Sequence, residues 1–250
     1  NRTMNYSDSA SPSKTSIWLK LQALAIFLFP FVVWPFSITP LEFSKQTYLA
    51  ILVGFTLLAV LIDSWKKETI NFIPRHPFLF AGLIGLVLSA VSAFRSGVIP
   101  LGIWGYGGTE SLALTSMALL GLWVILVFHT GHKNSRLIIN TLIASGSVLS
   151  LVAILSLLGL NFYDFIPTQG FNPSGTTTAA QFIGMTSLLL AMGLWLNGQS
   201  KKSTIAYALA MVPPIIFLLG SGFRAPLIAT AVGLLVLLIT QLRAGIKSTP

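Results

Sequence analysis

The chain has 250 residues, of which 54% are hydrophobic and only 8% charged, whereas about 25% are charged in a typical soluble domain. Six acids (Asp8, Glu42, Asp63, Glu68, Glu110 and Asp164) cannot cover a soluble globule of this size, so the composition implies an integral membrane protein lying mostly in lipid. The net charge of +9 does not imply nucleic acid, because the fifteen Lys and Arg fall singly or in pairs between apolar runs, as topology signals do.

From the start, residues 1–16 are polar and rich in Ser and are expected to form a disordered cytoplasmic tail. A membrane-crossing helix needs roughly 20 apolar residues. Eight such stretches follow: Ile17–Phe36, Thr47–Ile62, Phe78–Phe94, Ser111–Phe128, Leu137–Leu160, Ala179–Leu196, Thr204–Leu219 and Pro226–Leu242. The first is too long for a signal peptide and carries Lys20, so it is read as a retained helix. The second and seventh are short and are expected to extend into their flanks. The eighth starts at a proline, which suits a first helical position. The fold class is therefore all-α, a polytopic bundle of about eight helices over residues 17–242, with residues 243–250 as a cytoplasmic or linker tail.

Alternation of eight spans puts twelve cations on one side: Arg2, Lys14, Lys20, Lys66, Lys67, Arg75, Lys133, Arg136, Lys201, Lys202, Arg243 and Lys247. The other side receives three: Lys45, Arg95 and Arg224. The positive-inside rule makes the richer side cytoplasmic, and both termini with it. The external connections are then Ser37–Gln46, Arg95–Glu110 and Asn161–Thr178. The last two are rich in Gly, Pro, Asn and aromatics, with Trp104, Tyr106, Tyr163 and Phe165 at the depth of an aromatic belt.

Chemistry is sought on that external side. Arg224 lies in Leu219-Gly220-Ser221-Gly222-Phe223-Arg224-Ala225-Pro226, a break between two apolar helices. The glycines free the backbone for close approach, and the following helix offers N-terminal amides to an anion. A guanidinium fork beside such amides suits a phosphate or diphosphate; an arginine snorkelling to lipid headgroups is the plainer account. Arg95 closes the third helix, where a cation also suits the C-terminal end of the dipole. Two arginines on a side nearly free of cations could form one anion clamp. Glu110, in Gly105-Tyr106-Gly107-Gly108-Thr109-Glu110-Ser111, fits a first-turn cap, and also a base or a ligand of a sugar hydroxyl. Asn172 lies in Gly170-Phe171-Asn172-Pro173-Ser174, a turn whose Ser and Thr residues can cap the sixth helix.

The chain has no Cys, which excludes disulfides, thiolate metal sites and haem attachment. His76, His129 and His132 all fall near cytoplasmic loops, so no external histidine base is present and no metal is expected. No nucleotide-binding, zinc-helix or nucleophile-elbow motif occurs.

Three stretches, in this order, resemble the bacterial O-antigen ligase and O-antigen polymerase family. Gly102-Ile103-Trp104-Gly105-Tyr106-Gly107-Gly108-Thr109-Glu110-Ser111-Leu112 is similar to its external Gly- and aromatic-rich loop. Gly170-Phe171-Asn172-Pro173-Ser174 is similar to its Gly-x-x-Asn-Pro-Asn turn, with Ser174 in place of the second Asn. Gly220-Ser221-Gly222-Phe223-Arg224-Ala225 is similar to its Ser-Arg-Gly turn, with Phe223 and Ala225 in place of Ser and Gly. The resemblance covers roughly residues 95–245. It implies a glycosyltransferase of the cell envelope and lipopolysaccharide synthesis, in the bacterial inner membrane. Such an enzyme transfers a glycan from a polyprenyl-diphosphate (undecaprenyl) donor to an acceptor lipid, glycan or protein. It uses no cofactor and no nucleic-acid partner. On this resemblance Arg224 holds the donor diphosphate, assisted by Arg95; Asn172, Tyr106 and Ser221 are the further substrate-binding candidates, and Glu110, by its own chemistry as an acid, is the catalytic candidate. Family members are longer and carry a catalytic His in a later external loop, so the chain is read as the N-terminal portion of one. A transporter or lipid-linked glycan flippase, and a non-enzymatic membrane scaffold, are the competing readings of the same helices.

Overall fold

The computed structural model describes residues 17–33, 42–67, 77–95, 103, 114–131, 135–160, 173–174, 177–197 and 200–247. Among the described residues there are eight α-helices and no strand. They are α1 (Ile17–Leu28, continued by a 3₁₀ turn Phe29–Phe31), α2 (Glu42–Lys67), α3 (Pro77–Arg95), α4 (Leu114–Gly131), α5 (Ser135–Leu157), α6 (Thr177–Leu196), α7 (Lys201–Gly220) and α8 (Arg224–Lys247). Five of them are long and apolar enough to cross a membrane: Ser44–Ile62, Ser135–Leu157, Thr177–Leu196, Lys201–Gly220 and Arg224–Leu242. Apolar stretches of α1, α3 and α4 are shorter over the described residues. The chain is a multi-pass helical membrane protein. Its expected tail at residues 1–16 lies outside the described residues.

As expected, α2 and α7 extend beyond their apolar runs. The start of α8 corrects the sequence reading. The helix begins at Arg224, so Pro226 is its third residue and not its first. Any first-turn position tolerates proline, because the N–H it lacks has no intrahelical partner there. The sixth helix also begins earlier, at Thr177, which places Thr177 and Thr178 inside its first turn. At its far end α5 stops where Gly159 adopts φ 90°. Leu160 N–H then bonds Leu155 O at 3.0 Å and Gly159 N–H bonds Ser156 O at 3.1 Å, a Schellman closure.

The packing has two centres. In one, Leu49, Val53 and Val60 of α2 meet Leu126 of α4. Gln46 Nε2 donates to Thr115 Oγ1 at 3.0 Å across the same pair. The other is the α5–α6–α7 trio, where Leu149 and Ala153 meet Ala180 and Phe217. There Tyr207 OH donates to Asn140 Oδ1 at 2.9 Å. The helix α1 joins the two: Tyr48 OH donates to Ala25 O at 3.0 Å, and Ser145 Oγ donates to Phe27 O at 2.9 Å in α1's unpaired last turn. The window Ser135–Leu157 is 39% buried and Arg224–Leu242 only 11%, so α5 is the core helix and α8 the outermost of the five.

Small residues let α5 and α6 approach closely. Ser145, Gly146, Ser147, Ser150 and Ala153 line α5, and Ala180, Gly184, Ser187 and Ala191 line α6, all buried. A Cβ at position 146 would stand 2.5 Å from Ser187 Cβ, and one at 184 would stand 2.8 Å from Ser150 Oγ. This is how membrane helices gain contact, since lipid tails remove any hydrophobic drive between them. The polar atoms at the seam repair a defect in α7. Pro214 has no N–H, which leaves the Ala210 carbonyl without its intrahelical partner. Ser147 Oγ lies 2.7 Å from both Ala210 O and Ile143 O. Ser187 Oγ donates to Ile143 O at 2.8 Å, so the single Ser147 proton is free to serve Ala210.

The charged side chains that are described (Lys20, Lys45, Arg95, Arg136, Lys201, Lys202 and Arg224) all lie in the first or last turn of a helix. Burying a charge at mid-span costs on the order of 2.5–3.5 kcal/mol.

Two predictions follow from the seam. Gly146→Val should destabilise the detergent-solubilised protein by about 1–3 kcal/mol, read as a lower thermal midpoint. Gly54→Ala, where a Cβ meets nothing within 4 Å, should not lower it. Ser147→Ala should cost about 0.6–2 kcal/mol, and less in a Pro214→Ala background, where an N–H again reaches Ala210. Equal costs in both backgrounds would show that Ser147 does not serve that carbonyl.

Candidate functional site

The turn from α7 to α8 holds two of the three described candidate residues, Ser221 and Arg224. Helix α7 ends at Gly220, and Ser221 N–H closes on Phe217 O at 3.0 Å. Gly222 takes φ 73°, a left-handed conformation that a residue with Cβ rarely adopts, and the chain reverses there. Only Ser221, Gly222 and Phe223 separate the two helices. Arg224 is the first residue of α8, and it is exposed. Among the described residues it makes no hydrogen bond or ion pair.

Its position is electrostatically unfavourable. Unsatisfied N–H groups give a helix N-terminus a partial positive charge, and a cation there loses about 0.3–1 kcal/mol that an acid would gain. The first turn of α8 contains no acid. The N–H groups of Ala225 and Leu227 belong to the same unpaired set, from which Pro226 is missing. Guanidinium and amides thus put the same sign of charge at one helix end, which an anion of phosphate type would neutralise.

Arg95 behaves differently. It lies in the last turn of α3 and is exposed. A cation at that end complements the dipole and is accounted for without a ligand. Moreover, α3 packs on α4, whereas α8 packs on α6 and α7. Among the closely packed helix pairs, none joins α3 to α8. Glu110, Tyr106 and Asn172 lie outside the described residues. Next to Asn172, Pro173 is fully buried.

Sequence reasoning missed Gln181. It is the fifth residue of α6, it is fully buried, and its Nε2 donates to Ser221 Oγ. Its Oε1 is buried with no hydrogen-bond partner among the described residues. An acceptor left so costs about 1–3 kcal/mol. The available signal was a lone amide within a run of apolar and small residues, since polar groups inside spans are expensive.

A separate apolar groove of about 290 Å³ opens between α1 and α2, lined by Trp18, Leu21, Tyr48, Phe55, Thr56 and Ala59 among others. Neither helix carries a candidate site residue. Compared with family models, with curated proteins and with solved structures, the chain matches none.

Proposed function

We propose that the chain is a membrane glycan transferase of the O-antigen ligase or polymerase type, in the bacterial inner membrane with both termini cytoplasmic. It moves a glycan from a polyprenyl-diphosphate donor to an acceptor lipid, glycan or protein. The observation that carries this reading is Arg224 itself, a guanidinium at the positive end of α8 with no partner among the described residues and no acid in that turn. A diphosphate relieves that clash, and at a prenyl head it sits at the membrane interface where helix ends lie. The three ordered turns that resemble the family support the same reading, as does the count of twelve cations against three across the membrane.

In this reading an acceptor hydroxyl oxygen bonds to the anomeric carbon of the donor glycan. The bond from that carbon to the diphosphate oxygen breaks, and the prenyl diphosphate leaves with the electron pair. Arg224 and the free amides of α8 stabilise the charge that grows on the leaving oxygen. The hydroxyl proton is assigned to Glu110. Ser221, Asn172, Tyr106 and Arg95 are assigned to the substrate. Charges confined to helix ends suit this chemistry better than transport, which places ionisable groups near mid-span.

Arg224→Ala should lower glycan transfer by about 10²-fold or more in membranes of the host strain, with the amount of inserted protein unchanged. Arg224→Lys keeps the charge but loses the bidentate fork, and should fall between. Normal surface glycan in the alanine variant would overturn the reading.

A further inference from the structure

Most buried hydroxyls of the bundle settle on backbone carbonyls: Thr56 on Leu52, Ser150 on Gly146, Thr230 on Pro226. Gln181 does not. It reaches out of α6 to the turn that joins α7 to α8. Ser221 has a single proton and donates it to Leu218 O at 3.2 Å, so its oxygen is left to accept from Gln181 Nε2. That fixes which way the amide faces and strands Oε1 in the interior. A leucine would fill nearly the same space without a stranded acceptor. Packing alone therefore does not account for an amide at this position. Only Gly222 and Phe223 lie between Ser221 and Arg224, so a strut on Ser221 fixes where α8 starts and where its first guanidinium stands.

We infer that Gln181 is a positioning residue: its amide holds Ser221 and, through the short turn, sets the pose in which Arg224 meets a prenyl diphosphate. This rests on the reading of Arg224 as the diphosphate ligand. A bidentate fork needs a fixed angle, whereas a flexible ammonium does not, and this separates a positioning role from a merely structural one.

The test measures binding of farnesyl diphosphate to the purified chain in lipid nanodiscs, together with its thermal midpoint. Gln181→Leu should weaken binding about tenfold and leave the midpoint equal or higher, since an unsatisfied buried group has been removed. Ser221→Ala breaks the same hydrogen bond and should show the same loss, with the double variant no worse than either. In an Arg224→Lys background, Gln181→Leu should cost less than about threefold. Wild-type affinity in Gln181→Leu, or an undiminished tenfold loss in the lysine background, overturns this inference and leaves the role of Arg224 standing. A wild-type chain that does not bind the probe, or an Arg224→Ala variant that binds as well as wild type, overturns the Arg224 reading and this inference with it. Should Gln181→Leu fail to fold, Gln181→Met, which also lacks the amide, decides in its place: a tenfold loss supports the inference and unchanged affinity overturns it.

Discussion

Hydrocarbon offers no partner to a stray carbonyl or amide, and the seam between α5 and α6 is where this protein meets that constraint. Pro214, one of two prolines within α7, removes a backbone donor, and the repair comes from another helix. Ser147 supplies it only because Gly146 lets α6 close in and Ser187 takes over the competing carbonyl. Three small residues and Pro214 therefore act as a unit. The candidate site depends on them, because α6 carries Gln181, Ser221 caps the end of α7, and α8 leans on α6 through Gly233 against Leu189.

The two described arginines of the candidate set show how position decides meaning. Arg95 and Arg224 are chemically identical, exposed and at helix ends. One stands where the backbone field welcomes it and the other where the field opposes it. A residue that works against local electrostatics asks for a compensating partner, and the described protein supplies none to Arg224. That physical asymmetry, with the resemblance of three short turns, is the basis of the functional reading.

Hydropathy made the existence of the helices legible, because lipid selects for long apolar runs. It did not make their ends legible. The apolar run Thr47–Ile62 marks the part of α2 matched to hydrocarbon, while the helix continues to Glu42 and Lys67, where polar residues remain good helix formers. Arg224 opened α8 for a similar reason: the eye stops at Pro226, yet the first turn accepts proline anywhere. Inside the bundle, the small residues of α5 and α6 could be seen in the sequence, but their register could not. Knowing that Gly146 faces Ser187 requires knowing which faces meet. Ser221 and Arg224 stood out by sequence because they interrupt an apolar stretch. Gln181 escaped because a neutral amide matches no motif, and its worth lies in a bond to a residue forty positions away.

The loose attachment of α8 has a mechanical consequence. Its apolar stretch Arg224–Leu242 spans about 28 Å, close to a typical hydrocarbon slab of about 30 Å, and only 11% of it is buried inside the protein. In a thinner bilayer such a rod relieves the mismatch by leaning. Its inclination, and so the height of the guanidinium at its tip, follows bilayer thickness more closely than that of the central helices. Acyl-chain length in the surrounding lipid thereby becomes a control on how deeply this cation sits.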